Sequence, residues 1–282
     1  MEETTRPGPQ DPWHPLPGFA TDVGAGGGTV WMIGKSSNSS DFGLYRWDEA
    51  HQAWVQEPTG TAGMMAAGAP LPGMGPAGGL LSAVQGAAGG QAGSEERPRL
   101  GENSSIAADG HGRPWVTDEA RRTFRLNGLT WELLPGANTD IDLGGDTAWG
   151  IGTGPSAVGG CSLYRWDETG RTWHRDSFTY GVRIAVDDQG IPWHINTEHG
   201  IYRGIANSVR KLAGTGRDIG AGGGSIWVIG TDPGNGGFRI WKWDEKNSTW
   251  IPDAHGFATR ITVDSNGRPW AVNSNGNIFR KS

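Results

Sequence analysis

Apolar residues along this chain come in short runs, cut by clusters of Asp, Asn and Gly, and nowhere settle into the three-to-four spacing of a helix. Arg183-Ile184-Ala185-Val186, then Asp187-Asp188-Gln189-Gly190, then Ile191-Pro192-Trp193-His194-Ile195-Asn196 reads as strand, turn, strand. Asp favours the turn start and Gly accepts the positive φ that closes it. The prolines Pro114, Pro192 and Pro269 stand at the first position of the second strand, where a missing N–H costs little. A third strand, Gly200-Ile201-Tyr202-Arg203, follows a second turn, and a fourth runs through a tryptophan such as Trp173 or Trp250.

This pattern recurs in pairs of half-repeats. One half runs Asp-Ile/Val, then Val/Ala-Trp-x-Ile-Gly, then an aromatic, a basic residue and Trp-Asp-Glu. It appears at Asp22–Gly34 with Tyr45–Glu49, at Asp140–Gly152 with Tyr164–Glu168, and at Asp218–Gly230 with Trp241–Glu245. The other half, Ile-x-Ala/Val-Asp-x-x-Gly-x-Pro-Trp followed by an aromatic and Arg, begins at Ile106, Ile184 and Ile261. Trp149 and Trp227 are 78 residues apart, as are Trp115 and Trp193. Between Trp31 and Trp149 the distance is 118, so one unit carries an insertion. A fixed period of four short strands predicts an all-β, six-bladed β-propeller with threefold pseudo-symmetry of blade pairs. The run Trp13–Gly18 matches Trp131–Gly136, an outer strand. It is expected to complete the last blade beside Phe279-Arg280 and cover an otherwise open edge. The division predicted is a tail over 1–12 and one propeller over 13–282, interrupted at about 58–99.

Composition sharpens the picture. Forty-nine glycines and fifteen tryptophans in 282 residues suit many tight turns with indoles filling the seams. A net charge of −6 argues against nucleic acid as a partner. The single cysteine, Cys161, excludes an intrachain disulfide framework. With no apolar segment after Met1 that resembles a signal peptide, and no apolar run of about 20 residues, the expectation is a protein without a transmembrane segment, cytoplasmic or released without a signal peptide.

The motifs Trp-x2-Leu-Pro-Gly, Asp-Ile-x-Gly, Val-Trp-x-Ile-Gly, Tyr-Arg-Trp-Asp and Ile-x-Val-Asp-x-x-Gly-x-Pro-Trp resemble tectonin repeats. They are similar to the tectonin, tachylectin-1 and fish-egg-lectin group of six-bladed propellers, over nearly the whole span from Trp13 to Arg280. The resemblance implies glycan binding, of lipopolysaccharide-like or methylated sugars, on a fold also used as a protein-interaction platform.

Candidate binding residues are positions where the half-repeats diverge. Three residues beyond the unit tryptophan stand Asp118, Asn196 and Asn273, against Gly34, Gly152 and Gly230 in the other half. Their polar ends can hold sugar hydroxyls or make Asx turns, and the two uses are compatible. Trp47, Trp166 and Trp243 occur only beside Asp-Glu near a loop, which makes them candidate faces for a sugar ring or core packing. At the start of each unit the chain alternates Asp22, Ser105, Asp140, Arg183, Asp218, Arg260, an arrangement suited to pairing between neighbouring blades. Arg46, Arg125, Arg165, Arg203, Lys242 and Arg280 recur in all six and read as architecture.

Catalysis finds little support. The seven histidines fall at non-equivalent positions with no zinc-ligand spacing, and no cofactor or metal is expected. The leading expectation is a multivalent, non-enzymatic lectin for cell-surface glycans. The alternative is a structural or adaptor subunit that docks a larger assembly through the insertion. Between Pro58 and Ser94 that insertion has no charged residue and is rich in Gly, Ala, Pro and Met, a composition suited to a linker or to an adaptable contact surface.

Overall fold

The computed structural model of the protein describes residues 12–35, 41–57, 96–155, 159–205 and 208–282. All regular structure among them is antiparallel β, and no helix is long and apolar enough to cross a membrane.

Two sheets have seven strands and two have four. In the first seven-stranded sheet, β1 (Trp13–Gly26) lies between β22 (Asn277–Lys281) and β2 (Thr29–Lys35). Its first half pairs with β22, Pro15 opposite Phe279, and its second half pairs with β2, Gly24 opposite Trp31. The sheet is therefore two groups of four that share one strand. The first group is the end of β1 with β2, β3 (Phe42–Asp48) and β4 (Ala53–Gln56). The sixth is β20 (Arg260–Val263), β21 (Pro269–Val272), β22 and the start of β1. In the other seven-stranded sheet, β8 (Thr130–Gly144) is the shared strand. It completes the second group, β5 (Ser105–Ala108), β6 (Pro114–Thr117) and β7 (Arg122–Asn127). It then opens the third, with β9 (Thr147–Pro155), β10 (Cys161–Asp167) and β11 (Thr172–Gly181).

The fourth group is β12 (Arg183–Val186), β13 (Pro192–Ile195), β14 (Gly200–Ile205) and β15 (Ser208–Thr215). The fifth is β16 (Asp218–Gly222), β17 (Ser225–Gly234), β18 (Gly237–Asp244) and β19 (Thr249–Ala258). The first strand of each group touches the first strand of the next, and the sixth touches the first. The innermost strands therefore close a ring. Hairpins form where Asp-x-x-Gly predicts them: Gly190 N–H donates to the Asp187 carbonyl at 2.8 Å, with Gly190 at φ +76°.

The core is not axial but divided among the seams between groups. Trp31, Ile33 and Leu44 meet Ile106, Val116 and Phe124 between the first and second groups. Ala107 and Trp115 meet Ile141 and Trp166 at the next seam, and Trp149 and Leu163 meet Ile184 and Val186 at the third. Trp193 and Ile195 then meet Ile219 and Trp243, Trp227 and Ile240 meet Ile261 and Val263, and Trp270 and Val272 meet Met32 and Trp47. All six unit tryptophans are buried. Each seam thus carries its own hydrophobic stabilisation, of roughly 1.5–3 kcal/mol per large side chain buried.

Most of the insertion, residues 58–95, lies outside the described residues. Its described end is anchored to the scaffold. Arg99 N–H donates to Asp118 Oδ2 at 3.3 Å, Glu119 N–H donates to the Arg99 carbonyl at 3.0 Å, and Leu100 packs on the first seam's core.

Candidate functional site

Strands beside the ring axis do not pair in a ladder with one another, so their inner N–H groups need other acceptors. Three aspartates at the start of alternate inner strands supply them. Asp22 accepts from Ile106 N–H at 3.0 Å, Asp140 from Ile184 N–H at 3.1 Å and Asp218 from Ile261 N–H at 2.8 Å. Between the carboxylates stand Arg183, 3.9 Å from Asp140 and 3.5 Å from Asp218, and Arg260, 3.7 Å from Asp22. The remaining gap holds Ser105, whose hydroxyl donates to Asp140 at 2.8 Å. Three carboxylates thus share two guanidiniums around a polar cavity of about 140 Å³. Burial pushes Asp22 up to about 7, against Arg260, with Asp140 and Asp218 adding to the rise; Asp218 goes to about 6. Two residues further along the same strand as Asp140, Asp142 accepts from Val186 N–H at 2.6 Å, and burial holds it well above the usual carboxylate range.

Toward the periphery a second device recurs three times. Glu49 accepts from the Trp47 indole at 2.6 Å and from Arg280 at 2.7 Å. Glu168 does the same for Trp166 and Arg125, and Glu245 for Trp243 and Arg203. Each arginine also lies over the indole of its own group: Arg125 5.1 Å from Trp115, Arg203 4.7 Å from Trp193 and Arg280 5.2 Å from Trp270. The Trp-Asp-Glu motif is therefore half of a clamp across alternate seams. Arg46 pairs with Glu57 at 3.6 Å. Arg165 has no carboxylate partner among the described residues.

Along the clamped seams run grooves on one plan. Gly18, Gly136 and Gly214, at φ +93°, +82° and +85°, each face an indole edge: Trp54, Trp173 and Trp250. Only glycine takes such a φ without strain, and a Cβ there would meet the indole Cδ1 at 3.3–3.5 Å. At the seam of the second and third groups the groove holds about 370 Å³, lined by Gly136, Asn138, Thr153, Tyr164 and Trp173. At the fourth and fifth it holds about 160 Å³, lined by Gly214, Thr215, Thr231, Trp241 and Trp250. The residue opposite the floor aromatic changes in step: Gly150 opposite Tyr164, Val228 opposite Trp241, Met32 opposite Tyr45. In the last case the Met32 thioether reaches the space beside Gly18.

The residues singled out in the sequence fall into two sets that the fold keeps apart. Asp118, Asn196 and Asn273 occupy the second turn of their groups, while Trp47, Trp166 and Trp243 lead into the third turn. In an antiparallel group those turns lie at opposite ends. Asn196 Oδ1 accepts from Glu198 and Gly200 N–H, Asn273 Oδ1 from Asn275 and Asn277 N–H, and Asp118 Oδ1 from Ala120 and Arg122 N–H. All three organise Asx turns, and Asp118 is further bound by the Arg122 guanidinium. The indoles of Trp47, Trp166 and Trp243 are 7–8% exposed and pack edge-on against Trp54 and Trp270, Trp115, and Trp193. A sugar reaching their faces would have to displace that core. The indole edges that line the grooves belong instead to Trp173 and Trp250, whose indole N–H groups donate to the Pro135 and Ala213 carbonyls at 2.9 Å. Sequence reading passed over these as ordinary strand tryptophans. Their signal is a positive-φ glycine in Leu-Pro-Gly or Leu-Ala-Gly, 37 or 36 residues earlier.

Among the described residues no cluster of three or more His, Cys, Asp and Glu is placed to hold a metal ion. His194 is stacked on Tyr202, and burial depresses it to about 4. Cys161 is a half-buried free thiol that burial pushes up.

The architecture belongs with proteins whose antiparallel sheets form β-propeller structures. A streptogramin B lyase structure superposes with a TM-score of 0.52 at 14% identity, covering 96% of this chain and 95% of that one. A structure of YCF48 bound to D1 peptide superposes with a TM-score of 0.50, also at 14% identity, covering 96% of this chain and 95% of that one. At such identity the likeness is one of fold. No protein-family model and no curated protein matches the sequence.

Proposed function

We propose that the chain is a six-bladed propeller of the tectonin type, its six groups being the blades, and that it is a multivalent, non-enzymatic carbohydrate-binding protein. The observation that carries this reading is the repeated groove. Two pseudo-equivalent seams present an aromatic floor, an indole edge, backbone carbonyls and a threonine hydroxyl in one arrangement. That set matches a sugar, which offers an apolar ring face and a rim of hydroxyls that both donate and accept. Repetition on a rigid ring raises avidity where the glycan surface is itself repetitive. The resemblance in the motifs adds lipopolysaccharide-like or methylated sugars as the first classes to try, at a site without cofactor or metal. Cytoplasmic residence, or release without a signal peptide, goes with the same reading.

The experiment is a glycan array with the intact chain, repeated with Trp173→Ala and Trp250→Ala. Binding that weakens about tenfold or more in each single variant, and further in the double, supports the grooves as the sites. Binding unchanged in a folded double variant removes them. The adaptor alternative depends on the insertion at 58–99, and native mass spectrometry of the purified complex tests it.

A further inference from the structure

The seam between the third and fourth groups has no clamp among the described residues, and it holds a cavity of about 490 Å³. Trp149, Arg165, Asp176 and Thr179 line it from the third group, and Pro192 and Ser208 line it from the fourth. Its counterpart two groups on, between the fifth and sixth, is filled by the chain itself. There the Trp13 indole donates to Asp253 Oδ1 at 3.1 Å, the Lys281 ammonium is bonded to Asp253 Oδ2, and Lys281 lies 5.6 Å over the Trp227 ring.

The two seams align position by position. Asp253 lies three residues after Trp250, which pairs with Trp243; Asp176 lies three after Trp173, which pairs with Trp166. Trp13 pairs with Lys281 as Val209 pairs with Gly204. The acid is thus kept, while the ammonium and the flat ring that occupy its groove are replaced by Gly204 and Val209. A second cation does not forbid occupancy. Lys242, in the place of Arg165, stands 5.4 Å over Trp227 in the seam that Lys281 fills. Arg175, also at the cavity, donates to Ser162 and Tyr180. The wall carries one further demand: the Thr179 hydroxyl is buried and has no hydrogen-bond partner among the described residues. Such a group costs about 1–3 kcal/mol until something satisfies it.

We propose that this groove is a binding site for an amino sugar with a free, protonated amine. The ammonium stands at Asp176 where Lys281 stands at Asp253, the ring lies against Trp149 and Pro192, and a ring hydroxyl serves Thr179. The assignment rests on the carbohydrate-binding reading and adds to it a class of sugar and a single site outside the repeated grooves. A carboxylate has about four acceptor positions. Asp253 uses its own for Trp13, Lys281 and the His255 and Gly256 N–H groups, and in this assignment the ammonium joins the contacts that Asp176 already makes.

The test is titration calorimetry with a β-1,4-linked glucosamine tetramer and its fully N-acetylated counterpart, at about pH 6, where the amine is charged. Wild-type protein is expected to favour the free amine by about tenfold or more, as the loss of a charge-assisted hydrogen bond would predict. Asp176→Asn should remove that preference. Val209→Trp should abolish binding by filling the groove as Trp13 does, with the melting temperature kept or raised. Gly204→Lys is a poorer probe, since a Cβ there would come 3.0 Å from the Pro192 ring. Equal affinity for both tetramers, or undiminished glucosamine binding by folded Val209→Trp, overturns the site. If the array finds other glycans but the tetramer does not bind, this site falls and the carbohydrate-binding reading stands; if no glycan binds at all, both fall.

Discussion

Replacing Ser105 with arginine should make the protein more stable at alkaline pH and less so in acid. In the ring of Asp22, Asp140 and Asp218, Ser105 stands where the other two gaps hold Arg183 and Arg260. Burial raises Asp22 from 3.8 to about 7. The unfolded chain therefore releases this proton near pH 4 while the folded chain keeps it until about 7. Between those values the folded state binds more protons, so stability falls as pH rises. At about 1.36 kcal/mol per unit, the ionised Asp22 costs about 4 kcal/mol above pH 7. An arginine at 105, placed as Arg183 is at 3.5–3.9 Å from two carboxylates, gains about 4 kcal/mol per contact at an effective dielectric of 20. Against this stand its own desolvation and the lost Ser105–Asp140 hydrogen bond, about 1 kcal/mol. A net gain of about 1–2 kcal/mol at pH 8 corresponds to roughly 2–4 °C in melting temperature for a chain of this size. Below about pH 4, with Asp22 and Asp218 protonated, the buried guanidinium loses Asp22 as a charged partner and the variant should melt below wild type. Melting curves across pH 4–8 measure this. A wild type indifferent to pH over that range, or a shift of the same sign and size at both ends, would refute the reasoning.

Arg125→Ala should destabilise by about 2–3 kcal/mol, because it empties a buried position that serves Glu132, Glu168 and the Trp115 face; urea midpoints compared with Arg203→Ala read the difference. Asp142→Asn keeps an acceptor for Val186 N–H and removes a carboxylate that burial holds high. It should therefore stabilise at about pH 8 and do little at about pH 4, by the same melting assay. Asn196→Ala and Asn273→Ala each lose an acceptor for two backbone N–H groups, and about 1–2 kcal/mol apiece should appear in thermal melts. Glycan binding by a folded double variant that matched wild type would confine these residues to turn-making.

What the sequence made legible follows from what repetition exposes. Strand order, the hairpin turns and the burial of the unit tryptophans were all readable, because six aligned copies mark the positions that every seam needs. The alternation of Asp and Arg at the inner strands was readable too, as opposite charges at one level. The grooves were not. Trp173 and Trp250 look like any strand aromatic until the chain from a neighbouring group brings Gly136 or Gly214 against them. Trp47, Trp166 and Trp243, beside Asp-Glu and near a loop, leave a sugar face and core packing both open in the sequence; in the structure that Glu turns back to hold the indole N–H and a neighbour's arginine. The open seam at Asp176 depends on what Gly204 and Val209 lack, and an absence shows only beside the filled copy.

The shared strand β1 also bears on how long the folded ring lasts. Every other four-stranded group is built from consecutive chain, so its ladders reform locally after a fluctuation. The ladder from Trp13–Phe19 to Asn277–Lys281 is different: it joins segments far apart in the sequence and guards the seam where Arg280 reaches Glu49, 231 residues away. Such remote pairing is slow to find, since the entropy of closing the chain comes before any contact rewards it. Once formed, it is a latch. The lifetime of the native ring, measured as an unfolding rate or as resistance to protease, should follow the strength of those five register pairs more closely than the melting temperature does.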